Sequence, residues 1–359
     1  MNELYFSCFS PSPHSLEFVI KQLRHKFLLS LDEAGYDMAS VVFVRFFCSD
    51  VYTQMPILEN LWADIPCQRI FIGQQPLDSS YLSLQAYCLR NAAKKSLDEE
   101  GSLFLQHGPY QSLWTLDYPS APASSYAQSD AVIASFQKKL QHYGMTLQDN
   151  VIRTWYYVRD VDNNYAGMVK SRLSRYEACG LTQKTHSIAS TGIEACAPQP
   201  NVLIWLHGHA ERGLQPEQIT YLKAEEHLAP TYTYGVNFER ATRVVYGDRM
   251  HGHISGTASI DHEGNVLHKG NVLRQCERAI ENMEALLHEG EMSLQHLKAA
   301  TIYLRDSCDY PCIAPLAKSL LPPDCAINIT RGSVCRPDWL VEIEGEAIAP
   351  HQSSFPAFL

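Results

Sequence analysis

The chain has 359 residues, of which 45% are hydrophobic, and its 39 acidic and 29 basic residues give a net charge of -10. This length exceeds the size at which one hydrophobic core usually keeps growing, so we expect two domains. The negative charge repels phosphate backbones and anionic membranes, and no stretch approaches the roughly 20 apolar residues of a membrane span, so we expect neither nucleic acid nor a membrane as a partner.

The first residues of the chain and the pattern of its cysteines predict the cellular compartment. Residues 1–6 lack the basic segment followed by an apolar segment that is typical of a secretory signal. The 11 cysteines are odd in number, irregularly spaced and without a CxxC pair, which is typical of thiols in a reducing compartment. We therefore expect a cytoplasmic protein with free thiols.

In the first half, an amphipathic stretch predicts a helix that ends at Gly144, a residue suited to the end of a helix. The apolar positions follow helical spacing and are Val132, Ile133, Phe136, Leu140 and Tyr143. The next segment, Thr154–Asp160, is rich in aromatic and β-branched residues and predicts a strand. The half closes with residues 187–194.

The second half repeats this pattern. A predicted helix leads to Gly290, and Ala300–Asp306 is the strand that follows. Both strands end in Arg-Asp, and both helices are followed by Leu-Gln at a nearly constant offset. Shared residues at such an offset favour a duplicated α+β unit over a chance match. The apolar positions of this second helix are Val272, Leu273, Cys276, Ile280, Met283 and Leu287.

The offset between the halves is larger upstream, where Arg69–Gln74 looks like a counterpart of Gly252–Thr257. The difference implies an insertion in the first copy around residues 82–129, where prolines and serines indicate a surface loop. Residues 196–200 look like the junction between the copies. We therefore expect two tandem domains, residues 1–197 and 198–359.

Several segments of the second half resemble the YjgF/Rid family of enamine and imine deaminases: Ile254–Thr257, the helix with Asn282 and Gly290, Tyr303–Asp306 and Val341–Glu344. Two more, Tyr234–Arg240 and Val334–Glu342, resemble the chorismatases, two-domain relatives that release pyruvate from chorismate. The resemblance implies two chorismate-mutase-like domains, each a mixed β-sheet with two helices on one face, the first being a degenerate structural partner. It also implies a monomer or a homotrimer that uses neither a metal nor an organic cofactor.

The strand Val341–Ile348 alternates strictly and places its glutamates on one face. Carboxylates that are clustered and shielded from water raise one another's pKa, and a carboxyl that stays protonated near neutral pH can act as a general acid. The resemblance places the chorismatase acid at Glu342, seven residues after Cys335, whereas the deaminase pattern favours Glu344. An edge strand with a solvated acidic face remains the alternative.

A substrate with two carboxylates needs cations, and the planar fork of arginine suits them. Arg331 and Arg336 rank first because they flank the loop that enters the glutamate strand. A cysteine at position 335 resembles the hydroxybenzoate-forming chorismatases, which implies 3-hydroxybenzoate as the product, and its neighbour Arg336 could lower its pKa. The other candidate substrate-binding residues are Arg240, Arg243, Arg305, Tyr234, Gly256 and Thr257.

Two His-x-His pairs, His207/His209 and His251/His253, each place both imidazoles on one face of a strand. No glutamate stands at a metal-motif spacing, so we expect no metal site. Three functions stay open: a chorismatase acting on a small carboxylate, a Rid-type deaminase of 2-aminoacrylate-like imines, and a ligand-binding member without catalysis.

Overall fold

The computed structural model describes residues 2–10 and 15–359, which form three β-sheets with their helices. In the first sheet the strand order is β1-β4-β2-β3, and only β2 and β3 run parallel. This first unit consists of β1 (Glu3–Phe9), α1 (Leu16–Glu33), β2 (Val41–Cys48), α2 (Val51–Leu61), β3 (Gln68–Ile72) and β4 (Leu82–Leu89).

The second unit has a six-stranded mixed sheet in the order β5-β6-β7-β10-β8-β9, with β8 and β9 parallel. Its elements are β5 (Lys94–Leu97), β6 (Leu103–His107), β7 (Tyr110–Asp117), α3 (Ser125–His142), α4 (Leu147–Asn150), β8 (Val151–Val158), α5 (Val161–Ala178), β9 (Ala189–Glu194) and β10 (Ile204–Arg212).

The third unit repeats this topology in the order β11-β12-β13-β16-β14-β15, with β14 and β15 parallel. Its elements are β11 (Ile219–Leu222), β12 (Ala241–Val245), β13 (Arg249–Ala258), α6 (Val272–Glu289), β14 (Leu297–Leu304), α7 (Tyr310–Leu320), β15 (Ala326–Arg331) and β16 (Val341–Pro350).

The predicted fold class is confirmed, because the chain contains repeated α+β units with mixed sheets. The structure adds a third sheet that the sequence did not indicate. The order β1-β4-β2-β3 is the order of the last four strands in each larger unit, so the first unit is the same topology without its opening hairpin. Each unit places two long helices between corresponding strands.

Two expectations about the first half are wrong. The segment 82–129 is not a surface insertion, since it forms β4 to β7 and the start of α3. The counterpart of β13 is β7 rather than Arg69–Gln74, because β3 lies at a sheet edge beside its parallel neighbour β2. The expected boundary at residues 197/198 passes between β9 and β10 of one sheet.

The polar residues of β4 explain why this strand was missed. Ser83 and Gln85 are buried, but their side chains bond the third unit rather than water. The Ser83 hydroxyl donates to Asn328 Oδ1 at 2.7 Å, and the Gln85 amide donates to the carbonyl of Ala326 at 3.0 Å. A strand buried on both faces by a neighbouring sheet does not show the apolar/polar alternation of an exposed one.

Helix α6 illustrates how the third unit is held together. The Asn271 side chain caps the first turn of α6, because its Oδ1 accepts a hydrogen bond from the backbone N–H of Arg274 at 3.1 Å. The buried Asn282 amide donates to the carbonyls of Ala258 and Ile260, both at 3.1 Å, which ties the helix to the end of β13. The apolar face packs on the sheet and comprises Cys276, Ala279, Ile280, Met283, Leu286 and Leu287.

The three units meet around a shared interior. Strand β9 of the second unit packs against β13 of the third, and β15 of the third packs against β1 and β4 of the first. Gln68 of the first unit donates to the carbonyl of Trp114 in the second at 3.1 Å. One hydrophobic core cluster draws on all three units. None of the helices in the described chain has the length and apolar character of a membrane span.

Candidate active site

A cavity of about 190 Å³ lies between the second and third units, where β9 and α5 face β13 and β16. Five predicted site residues line it: Glu342, Cys335, Arg336, Arg240 and Gly256. The other lining residues are Tyr165, Arg172, Ser190, Gly192, Val236, Phe238, Ala258, Ile260 and Trp339.

Glu342 reaches this cavity because of an irregularity in the neighbouring strand. The pairing of β13 with β16 shifts between Ile254 and Thr257, which is typical of a β-bulge. Gly256 lies in this bulge, and a Cβ atom there would collide with the Glu342 carboxyl. The absence of a side chain at Gly256 therefore provides the space that the carboxyl occupies.

The Glu342 carboxyl is 6% exposed, and its pKa is raised to about 8. Burial is the main cause and the negative charge of Glu344 adds to it, while Arg153 and Arg240 act in the opposite direction. Strand β16 lies between β13 and β14, so the solvated edge-strand interpretation is wrong. At neutral pH the carboxyl is protonated and available as a proton donor.

Glu344 does not line the cavity but sits in an ionic network beside it. Its carboxylate accepts from Arg153 Nη2 at 2.9 Å, from Thr191 Oγ1 at 2.5 Å and from the Tyr303 hydroxyl at 3.0 Å. Arg45 of the first unit is 3.8 Å away. Because these cations hold it, Glu344 acts on Glu342 through its charge rather than by direct contact with the cavity.

Cys335 lines the cavity, and its surroundings disfavour the thiolate form of its side chain. Burial and the charge of Glu342 raise its pKa to about 12, although Tyr165 and Arg336 act in the opposite direction. The expectation that Arg336 lowers the pKa of Cys335 below its usual value is therefore wrong, because burial outweighs the nearby guanidinium. The Arg336 guanidinium carbon lies 4.7 Å from the ring centre of Trp339.

The remaining arginines differ in where they lie. Arg240 is 6% exposed and donates to the carbonyl of Ala229 at 2.7 Å. Arg331 was predicted to be one of the two main substrate-binding arginines. It lies exposed at the end of β15 and does not line the cavity. Arg305 pairs with Asp162 of α5 at 2.6 Å.

Two other predicted residues, Arg243 and Thr257, also lie outside the cavity. The Arg243 guanidinium lies 3.5 Å from Glu291. Thr257 is buried and donates to the carbonyl of Ser255 at 2.9 Å. The backbone of Tyr234 ends a short 3-10 helix, but its side chain lies outside the described part of the structure.

Sequence reasoning missed the contribution of the second unit. Tyr165 and Arg172 project from α5, and Ser190 comes from β9. The first two stand seven residues apart, a spacing that places them on one face of a helix. That spacing is a signal for two polar side chains on one helix face, but the first copy was predicted to be only structural.

The two His-x-His pairs lie in the interior between the sheets. His253 contacts Glu346 at 2.6 Å, His251 lies 3.2 Å from Glu3, and His207 lies 3.1 Å from Gln68. Across residues 2–10 and 15–359, no group of three or more His, Cys, Asp or Glu side chains is arranged to hold a metal ion. His207, His251 and His253 form hydrogen bonds within the protein, whereas the His209 ring stacks on Trp114 with ring centres 3.8 Å apart.

The family described as Endoribonuclease L-PSP matches residues 240–349. A 3-hydroxybenzoate synthase from Streptomyces hygroscopicus is 27% identical over 250 residues, which are 62% of this chain and 70% of that protein. A 3-aminoacrylate deaminase RutC from Acinetobacter baylyi is 28% identical over 109 residues, which are 30% of this chain and 81% of that protein.

The crystal structure of a chorismatase superposes with a TM-score of 0.70 at 18% sequence identity, covering 96% of this chain and 98% of that one. At this identity the superposition establishes the fold. The sequence relationship to the synthase and the match in the third unit agree with that fold. The chain is therefore similar to a chorismatase in fold over nearly its whole length, and its third unit matches the Endoribonuclease L-PSP family.

Proposed function

We propose that this protein cleaves the enolpyruvyl ether of chorismate and releases pyruvate, with 3-hydroxybenzoate as the other product. The single observation that carries the proposal is Glu342, a buried carboxyl with a pKa raised to about 8 that lines the cavity between the second and third units. The relative described as a 3-hydroxybenzoate synthase supports the same reaction. A dihydroxycyclohexadiene carboxylate is the other product that chorismate cleavage can give.

Glu342 supplies the proton that the reaction requires. Protonation of the methylene carbon converts the enol ether into an oxocarbenium-like centre, which weakens the bond between the ether oxygen and the ring carbon. The ether oxygen leaves as the carbonyl oxygen of pyruvate, and the ring keeps its own hydroxyl oxygen and loses a proton as it becomes aromatic. The carboxylate of Glu344 stabilises the positive charge that develops. After transfer, the Glu342 carboxylate is stabilised by Arg153 and Arg240, the cations that lower its pKa.

Other lining residues bind and orient the ring. Arg240 and Arg336 are the predicted cations that line the cavity, and they are suited to carboxylates. Cys335 stays a thiol at neutral pH because its pKa is about 12. Formation of 3-hydroxybenzoate and pyruvate consumes no water overall. A cytoplasmic location and a monomeric or homotrimeric state stay predictions from the sequence.

The test is pyruvate release from chorismate by wild type and Glu342→Gln. We expect the substitution to lower the rate by at least about 100-fold, because the amide cannot donate an acidic proton. The matched control is Glu346→Gln in the same strand, since Glu346 bonds His253 and does not line the cavity.

Chromatography of the reaction mixture separates 3-hydroxybenzoate from the cyclohexadiene product. Absence of pyruvate with folded wild type, or undiminished release by folded Glu342→Gln, would contradict the proposal. Circular dichroism of each variant verifies folding before rates are compared.

A further inference from the structure

Arg172 differs in its partners from three other buried arginines. The side chains of Arg45, Arg153 and Arg249 each lie within 4.0 Å of a carboxylate. Arg172 is 1% exposed, yet no acidic side chain in the described chain forms an ion pair with it. Burial of an unpaired charge is costly, so a protein retains one where something else neutralises it.

The contacts of Arg172 are all with neutral groups. Its Nε donates to Asn237 Oδ1 at 3.1 Å, and its Nη1 donates to the Ser190 hydroxyl at 3.4 Å. The guanidinium carbon lies 5.3 Å from the ring centre of Tyr156. The Nη2 atom is buried and has no hydrogen-bond partner among the described residues. The guanidinium thus keeps unused donors.

The cavity that Arg172 lines does not supply the missing charge. Of the described residues that line it, Glu342 alone is acidic. Burial and the charge of Glu344 keep that carboxyl protonated at neutral pH. Arg240 and Arg336 line the same cavity, so the fixed charge around it is positive. An anion that enters the cavity is attracted by all three guanidinium groups.

We propose that Arg172 is a specificity-determining residue that binds the carboxylate of an aromatic or cyclohexadiene ligand. Its planar fork bonds two carboxylate oxygens, and Asn237 and Ser190 hold the fork in position. The inference rests on the proposed function for the choice of a six-membered ring carboxylate. It assigns part of the binding site to the second unit, which belongs to the first copy that the sequence predicted to be only structural.

The test compares two probes, 3-hydroxybenzoate and 3-hydroxybenzamide, by calorimetry at pH 7. They differ in the charge that Arg172 is proposed to bind. We expect wild type to prefer the acid by about 30-fold or more, and Arg172→Met to bind acid and amide with similar affinity. The affinity for the amide should change by less than about threefold. A positioning or purely structural role would weaken both probes equally.

Thermal unfolding gives a second readout. Because Arg172→Met removes a buried charge without a counter-ion, its melting temperature without ligand should equal or exceed that of wild type. The matched control is Arg175→Met, one turn further along α5, where the side chain pairs with Asp130 at 2.5 Å. This control should keep the preference for the acid.

Wild type without a preference for the acid, or Arg172→Met that keeps it, overturns the inference. If Arg172→Met does not fold, Arg172→Lys decides, because it keeps the charge and loses the fork; an undiminished preference there overturns bidentate binding. Preference for the acid without pyruvate release contradicts the proposed function alone. Pyruvate release with an unchanged KM for chorismate in Arg172→Met contradicts this inference alone.

Discussion

Glu342 and Glu344 are two residues apart in one strand, yet their surroundings give them different tasks. Glu342 faces the cavity, and Arg153 and Arg240 lower its pKa by less than burial and Glu344 raise it. Glu344 contacts Arg153, Thr191 and Tyr303, and its negative charge raises the pKa of Glu342. The sequence left open which of the two is the acid. The hydrogen-bond partners favour Glu342 as the donor and Glu344 as its electrostatic neighbour.

This arrangement predicts a defined pH dependence. The acid must be protonated, so kcat should be constant below pH 8 and fall as pH rises through the Glu342 pKa of about 8. Replacing Glu344 by Gln removes a charge that raises this pKa, so the fall should move to lower pH. The measurement is the pH profile of pyruvate release for wild type and Glu344→Gln.

Glu346→Gln is again the control, because Glu346 is not among the charges that shift the Glu342 pKa. An unchanged midpoint in Glu344→Gln would show that Glu344 does not set the protonation of the acid. A midpoint that moves to higher pH would contradict the assigned direction of the charge effect.

At the scale of elements, the bulge in β13 positions the acid of β16. Gly256 and Gly252 stand in the same strand and face different neighbours. A methyl group at Gly256 would collide with the Glu342 carboxyl, whereas one at Gly252 would lie 2.6 Å from Met292 Cε. Both substitutions overpack the core, but only the first displaces the acid.

We therefore expect Gly256→Ala to lower kcat by about 100-fold, because a displacement of about 1 Å has that effect on a positioned group. Its unfolding free energy should fall by about 1–3 kcal/mol. Gly252→Ala should show a similar loss of stability with little change in kcat. Urea denaturation measures the loss of stability in both variants, and pyruvate assays measure kcat. An equal loss of kcat in Gly256→Ala and Gly252→Ala would contradict the role of the bulge in positioning Glu342.

At the scale of the whole molecule, buried charges join units that are distant in sequence. Glu3 of the first unit contacts Arg249 at 2.5 Å and His251 at 3.2 Å, both in β13 of the third unit. Burial by itself would raise the pKa of the Glu3 carboxyl, but His251 and Arg249 outweigh it and lower the pKa to about 2. The folded state thus favours the carboxylate.

The sign of the stability effect follows from this lowered pKa. The contribution of the Glu3 carboxylate is present above its usual pKa of 4.5 and is lost as pH falls from there toward 2. Glu3→Gln should lower the unfolding free energy by about 3–5 kcal/mol at pH 7, because it leaves Arg249 without that partner. The difference from wild type should shrink as the pH falls below 4.5.

Denaturant unfolding at a series of pH values measures this difference. Glu17→Gln is the control, since Glu17 is exposed and pairs only with Lys21 four residues away, a contact that contributes little. A difference between wild type and Glu3→Gln that does not depend on pH would contradict the linkage.

Local patterns predicted much of the second and third units. The amphipathic spacing of α3 and α6, the strands after them and the match between Arg159-Asp160 and Arg305-Asp306 identified the repeat. The first unit escaped because it lacks the opening hairpin and because β4 carries buried polar residues that bond another sheet. Periodicity reports burial against solvent, so it fails where both faces are covered.

The amino-acid sequence by itself determined the kinds of element, the repeated topology and the strand that carries Glu342, because helical and strand periodicity depend on neighbouring residues along the chain. Only the tertiary structure decided which side chains share the cavity. Arg172, Ser190 and Glu342 come from two units whose contact depends on the packing of β9 against β13. Burial, and with it the pKa of the acid, is a property of that packing and has no local signature in the sequence.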